Sequence, residues 1–158
     1  MNRLSIVALT CLALASGRTL AADPTTDPCS LLTAEEVQQA IGKLKSVPTQ
    51  NVIDRARMCD YVLAEDESVG LSVWLLPAVG LDRARKEYPE LQAVTGLGAE
   101  AYIHRNARSD ETELFARKGN ATLQMSVPTP GGDADERGDV ARIKVLARRA
   151  LARLPAGS

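Results

Sequence analysis

Two of the three cysteines, Cys29 and Cys59, constrain the fold of this 158-residue chain more than any other feature. An even number of cysteines in an oxidising compartment usually means a disulfide. A disulfide that closes a loop of about 30 residues restricts the unfolded chain, and this would stabilise the folded state by about 3 to 4 kcal/mol. A metal pair or a catalytic thiol would need a second cysteine or a histidine close by in the chain. Neither cysteine has one, so we predict the disulfide and no metal site or cofactor.

The oxidising compartment is inferred from residues 1–21, which have the three regions of a secretory signal peptide. Arg3 supplies the positive start, residues 4–15 form an apolar run, and Thr19-Leu20-Ala21 offers the small residues that a signal peptidase reads. We expect cleavage after Ala21 or Ala22. The apolar run is shorter than the roughly 20 residues that cross a bilayer. The sequence therefore predicts a periplasmic or secreted protein.

The third cysteine, Cys11, leaves lipid anchoring open as an alternative. A lipoprotein signal also ends at a cysteine, which is then lipidated. In this chain Thr10 stands where such a signal has Gly, Ala or Ser, and Cys11 lies inside the apolar run. We therefore expect the unanchored form.

The remainder of the chain has the size and charge of one ordinary domain. Without residues 1–21, which contain Arg3, Arg18 and no acidic residue, the chain has 17 basic and 20 acidic side chains. This mild acidity argues against general nucleic-acid binding, which requires a clustered basic excess. We predict a tether at 22–28 and a single domain at 29–155, long enough for one core.

Three helices are predicted from their capping residues and their apolar periodicity. Thr33 is placed as the N-cap of the first helix, with Glu36 three residues later to close a capping box and Gly42 to end the helix. A short second helix is predicted from Leu81 to Tyr88. The last helix is predicted from Glu136 to Leu154, because its apolar residues fall on one face at a period of 3.6 residues.

In one predicted strand Val69, Leu71, Val73 and Leu75 alternate with Gly70, Ser72 and Trp74, which is the period-two pattern of an antiparallel strand with one buried face. Residues 43–56 are polar and irregular and are predicted to form a loop. The hairpin signal is Gly119-Asn120, because both residues tolerate positive φ. The predicted strands are Met58 to Ala64, Val69 to Leu75, a segment leading from Gly96 to Ile103, Thr112 to Arg117, and Thr122 to Val127. The order αββαβββα predicts the α+β class, an antiparallel sheet of about five strands with helices packed on one face and one disulfide.

Several short motifs together resemble a broad group of small secreted or lipid-anchored bacterial proteins. That group has a D-P-C-x-L-L start, a second cysteine and a G-L-G-x-x-A turn, and it has no established general function. The resemblance covers roughly residues 27–154 and implies a paired Cys29 and Cys59 in a sheet-and-helix domain, with no catalytic residues. The matching segments are Asp27-Pro28-Cys29-Ser30-Leu31-Leu32, Cys59-Asp60-Tyr61, Gly96-Leu97-Gly98-Ala99-Glu100-Ala101 and Arg117-Lys118-Gly119-Asn120.

The chain lacks the sequence signatures of the common hydrolases. No G-x-S-x-G or H-E-x-x-H motif occurs, and His104 is the single histidine. We expect His104 to be a surface residue at the polar end of a strand, with a base or pH-sensitive contact as the alternative. Carboxylate pairs such as Glu35-Glu36 could support glycosidase chemistry, but the first turn of a helix already favours acidic residues. We therefore predict that the protein is not an enzyme.

Two surface features predict partner binding. Trp74 lies between the alternating apolar residues of its strand, and aromatic residues are enriched at binding hot spots. It could equally pack under a helix. Arg142, Arg149 and Arg153 line the polar side of the last helix, where they could meet an acidic protein or an anionic headgroup, with a simply solvated face as the alternative. We predict a non-enzymatic binding protein whose partner is a protein or an envelope component, with peripheral membrane contact as an alternative. An inhibitor or immunity protein that blocks a periplasmic toxin or a lysozyme-like enzyme is the second hypothesis.

Overall fold

The computed structural model describes residues 26–53, 56–65, 67–97, 100–129 and 136–155. The predicted signal peptide, its cleavage site and the first part of the predicted tether lie outside these ranges. After a 3₁₀ turn at Pro28–Ser30, the elements are α1 (Ala34–Ile41), β1 (Thr49–Ile53), β2 (Ala56–Val62), β3 (Val69–Pro77), α2 (Val79–Glu87), β4 (Gln92–Ala93), β5 (Glu100–Asn106), β6 (Glu111–Lys118), β7 (Ala121–Pro128) and α3 (Glu136–Arg153). In this part of the chain no helix is both long and apolar enough to cross a membrane.

The described strands form one antiparallel sheet in the order β1-β2-β3-β7-β6-β5-β4. The α+β class and the antiparallel sheet are confirmed, but the predicted order of about five strands is wrong, because the described chain has seven. β1 forms where a loop was predicted, and every one of its side chains is exposed, so no burial pattern marks it. β4 pairs only Gln92 and Ala93 with β5, which is too short for a periodic signal.

The two faces of the sheet are covered by different helices, so the prediction that all helices pack on one face is wrong. The inner face packs against α1 and α3, and its core includes Leu114 of β6 and Leu146 of α3. Phe115 follows Leu114 and therefore points to the outer face, because successive strand residues alternate. There Phe115 packs with Leu81 and Ala84 of α2. β6 is buried on both faces, so it lacks the alternation that marks a strand with one buried face.

The predicted disulfide between Cys29 and Cys59 is present and ties the 3₁₀ turn to β2.

The first helix, α1, is also as predicted. Thr33 Oγ1 accepts a hydrogen bond from the Glu36 backbone N–H at 3.2 Å, and the Glu36 carboxylate accepts one from the Thr33 N–H at 2.9 Å. Gly42 ends the helix with a φ of 117°. Local capping chemistry was sufficient to place this helix.

Glu36 also holds α1 to α3. The Arg153 guanidinium donates to both carboxylate oxygens of Glu36, at 2.6 and 2.8 Å, and to the Leu31 carbonyl at 2.8 Å. The hydrogen bond from Arg153 is the largest cause of a Glu36 pKa lowered from 4.5 to about 2, although burial acts in the opposite direction. This bidentate pair links α1 to α3 on the inner side of the sheet.

We expect the Glu36→Gln variant to lose a pH-dependent part of the stability. The folded pKa of Glu36 lies below its unfolded value, so its contribution is present above about pH 5 and is lost as the pH falls towards 2. The full shift would correspond to about 3 kcal/mol, and solvent screening of a pair at the surface reduces this to about 1 to 2 kcal/mol. In urea denaturation at several pH values, the wild type should have a higher free energy of unfolding than the variant at pH 7. The two free energies should become equal near pH 2. Glu35→Gln, one position away, should keep the wild-type pH dependence, and parallel curves for wild type and Glu36→Gln would contradict the assignment.

Candidate functional site

A groove of about 710 Å³ lies on the outer face of the sheet, beside α2. Its floor is formed by side chains of β1, β2, β3, β7 and β6, and α2 with Tyr88 forms one wall. The floor includes Ser72, Trp74, Gln124, Ser126, Glu111, Glu113 and Phe115, and the wall includes Arg83, Glu87 and Tyr88. Ligand pockets have volumes of about 300 to 1,000 Å³, so the groove is large enough for a ligand.

Contacts between α2 and the sheet set the position of this wall. The N terminus of α2 has no side-chain cap of its own. Thr122 of β7 acts instead: its hydroxyl accepts from the Leu81 N–H at 3.2 Å and donates to the Ala78 carbonyl at 3.1 Å. A Cβ at Gly80 would lie 2.9 Å from the Leu76 Cβ, so glycine permits the close approach of the helix. The wall is therefore held by the same strands that form the floor.

A row of polar side chains crosses the outer face. The strand register places Asp60, Ser72, Ser126, Glu113 and His104 directly opposite one another on β2, β3, β7, β6 and β5. The Ser72 hydroxyl donates to Asp60 Oδ1 at 2.7 Å. At the other end His104 Nε2 lies 3.1 Å from Glu113 Oε2. The pairing of the strands thus brings together residues that are far apart in the sequence.

The neighbouring row is more apolar and contains the single tryptophan. Met58, Trp74, Gln124, Phe115 and Tyr102 occupy the matching register positions of the same five strands. Trp74 is half-buried, with part of its ring forming the groove floor. An aromatic surface beside hydroxyl, amide and carboxylate groups is suited to binding a ligand that has both apolar and polar parts.

His104 is buried, so the expectation of a surface residue is wrong. It is 5% exposed, and Tyr88 covers it with a ring-centroid distance of 4.2 Å. Its Nδ1 has no hydrogen-bond partner in the described chain and lies 3.6 Å from Glu90 Oε1. The polar sequence around His104 suggested solvent, but the turn after α2 carries Tyr88 and Glu90 over the imidazole. This cover is a tertiary contact without a local signal.

Glu113 is the buried carboxylate of the groove. It is 5% exposed, and its two oxygens accept hydrogen bonds from His104 Nε2 and from Asn106 Nδ2, the latter at 3.2 Å. Sequence reasoning missed Glu113, because His104 is its neighbour only through the β5–β6 register. The available signal in the sequence was weak: a glutamate that stands between Thr112 and Leu114 inside a predicted strand.

The order of residues in the polar row does not match a serine-hydrolase triad. In a triad the imidazole lies between the hydroxyl and the carboxylate. Here Glu113 lies between Ser126 and His104, whose strands are about 10 Å apart because neighbouring strands are about 4.8 Å apart. Within the described ranges no group of three or more His, Cys, Asp or Glu side chains could hold a metal ion.

The groove has a negative electrostatic character. Glu87, Glu111 and Glu113 line it, and Arg83 is the only Lys or Arg among the described lining residues. Arg83 lies 3.8 Å from Glu87, so its charge is partly balanced within α2. Burial raises the pKa of Tyr88, and the Glu113 and Glu87 carboxylates raise it further. A cationic group would be attracted to this groove.

The predicted partner-binding residues fall on opposite sides of the sheet. Trp74 lies in the groove, whereas Arg142, Arg149 and Arg153 belong to α3 on the inner side. Arg153 binds Glu36 and Arg149 lies 3.7 Å from the same carboxylate. Arg142 pairs with Asp139 within the helix. The role of these arginines in partner binding stays a prediction, and the structure gives them contacts within the protein.

Comparisons of this chain with protein-family models, with curated proteins and with solved structures find no match. The resemblance to small secreted bacterial proteins therefore stays a prediction. The groove has to be interpreted from its own residues and geometry.

Proposed function

We propose that this chain is an exported, non-enzymatic binding protein of the periplasm or cell exterior, and that the groove on the outer face holds a segment of its protein partner. The observation that carries the proposal is the groove itself, with half-buried Trp74 in its floor next to Ser72 and Gln124. Pockets of this composition favour binding, because the apolar surface supplies affinity and a few polar groups fix orientation.

The shape of the groove favours an extended segment. Its floor runs from Glu111 and Glu113 on β6 to Ile53 on β1, across five adjacent strands. Four strand spacings of about 4.8 Å give a length of about 19 Å. An extended chain advances about 3.3 Å per residue, so the floor accommodates about six residues. At its far end the groove reaches Ile53 of the edge strand β1.

The proposed location is consistent with the disulfide between Cys29 and Cys59. Disulfides persist in the periplasm and outside the cell and are rare in the reducing cytosol. Export itself is inferred from residues 1–21 of the sequence.

Site-specific photo-crosslinking in living cells tests the proposed site. A photoreactive amino acid at position 124, in the groove floor, should capture one partner that the same amino acid at position 144, on α3, does not capture. The partner is then purified and its affinity for the oxidised protein is measured. Identical adducts from positions 124 and 144 would contradict a site in the groove.

We expect Trp74→Ala to weaken binding of the captured partner by at least tenfold, because aromatic anchors at the centre of an interface contribute more than about 1 to 2 kcal/mol. Arg142→Ala is the matched control on the opposite side of the sheet and should leave the affinity within twofold. Circular dichroism confirms that both variants are folded. If Arg142→Ala weakened binding and Trp74→Ala did not, the partner would bind the α3 face and the groove proposal would be wrong.

A further inference from the structure

The buried carboxylate of Glu113 and its surroundings indicate the chemistry of the bound segment. Buried charges in proteins are normally paired with an opposite charge. The nearest cation-forming group that the structure gives Glu113 is the imidazole of His104, which is charged only when it is protonated. The other groups that face this pair are Asn106, Tyr88 and the carboxylate of Glu90. No permanent positive charge from the described part of the chain contacts Glu113.

Glu111 adds a second carboxylate at the same end of the groove. It precedes Glu113 by two residues, so both side chains lie on the outer face of β6. Glu111 has no ion pair in the described ranges, and Glu87 of α2 contributes a third carboxylate on the facing wall. The nearby Phe115 and Trp74 rings supply apolar surface for a hydrocarbon stem and an aromatic face for a cation.

We propose that the segment bound in the groove presents a lysine or arginine side chain, whose cationic head lies at Glu111 and Glu113 and whose stem lies along the aromatic floor. This inference rests on the proposed function and specifies its ligand. Charge complementarity decides between ligand classes, because an acidic side chain would meet the carboxylates of Glu111 and Glu113, and a neutral one would leave Glu111 without a cationic partner. The occupant is thus a basic segment of a protein partner.

Fluorescence of Trp74, the single tryptophan of the chain, provides a direct readout in the groove. The oxidised mature protein is titrated with capped hexapeptides that differ only at the third residue: lysine, arginine, Nζ-acetyl-lysine or glutamate, with glycine elsewhere. We expect saturable binding of the lysine and arginine peptides, at least tenfold tighter than binding of the acetyl-lysine peptide, and weaker binding as salt is raised. The glutamate peptide should give no saturable change.

Charge-neutralising variants locate the cation. Glu113→Gln is expected to weaken binding of the lysine peptide at least tenfold, and Glu111→Gln is expected to weaken it about three- to tenfold. Glu35→Gln makes the same change in net charge on α1, which packs on the inner face, and should leave the affinity unchanged. If Glu113→Gln unfolds the protein, Glu111→Gln decides the question alone, because Glu111 makes no ion pair in the described chain.

The outcomes separate this inference from the proposed function. Equal affinity for lysine and acetyl-lysine peptides, or an unchanged affinity in Glu111→Gln, would show that the ligand is not recognised by its positive charge. The proposal that the groove binds a protein segment would still stand. Saturable binding of spermidine as tight as that of the lysine peptide would show that a small polyamine is the occupant and would overturn the segment. If no peptide binds, the basic segment is wrong, and the crosslinks from position 124 then decide independently whether the groove is a binding site.

Discussion

Replacing both Cys29 and Cys59 by alanine is expected to lower the free energy of unfolding by about 3 to 4 kcal/mol. The bond closes a loop with a sequence separation of 30 residues. Without it the unfolded chain gains conformational freedom, and the 3₁₀ turn loses its covalent tie to β2. Urea denaturation of the double variant and of the oxidised wild type measures the difference.

Reduction of the wild type is the matched control for this variant, because it breaks the bond without changing the sequence. The reduced wild type should unfold near the urea midpoint of the double alanine variant, and the variant itself should be insensitive to reductant. A wild-type midpoint that does not move on reduction would show that the bond contributes little to stability. Two free thiols in the mature oxidised protein, detected by mass spectrometry, would show that the bond does not form.

The second large effect is expected at Leu146, on the buried face of α3. Its side chain has no exposed surface and lies in the core between α3 and the inner face of the sheet. Leu146→Ala removes apolar contacts and leaves a cavity that close packing prevents from collapsing, at a cost of about 2 to 5 kcal/mol. Thermal and urea denaturation should both detect this loss.

The adjacent position offers a control with the same product residue. Val145 is 43% exposed, so Val145→Ala removes little buried surface and places a better helix former in α3. Its free energy of unfolding should lie within about 0.5 kcal/mol of wild type or slightly above it. Similar losses at positions 145 and 146 would show that the orientation of α3 differs from the one described.

The groove was only partly predictable from the sequence. Trp74 could be placed on the side of β3 opposite Val73 and Leu75, because alternation along a single strand is a local property, and its role in partner binding stays a prediction. The pairing of Glu113 with His104 was missed, because it depends on the register of β5 against β6. The arginines of α3 were predicted from the polar side of the helix alone. The structure adds that Glu36, more than a hundred residues away from them in sequence, accepts hydrogen bonds from Arg153 and lies near Arg149.

The sequence by itself determined the features that rest on local chemistry. These are the capping box of α1, the alternating strands, the Gly119-Asn120 turn between β6 and β7, and, from the cysteine count, the disulfide. Only the tertiary structure decided that β1 joins the sheet, that α2 covers the outer face, and that a buried carboxylate lies in a groove beside Trp74. Capping and alternation involve residues a few positions apart, whereas strand order, register and the cover over His104 depend on contacts between distant segments. Those contacts form only when the whole core packs, and no short stretch of sequence specifies them.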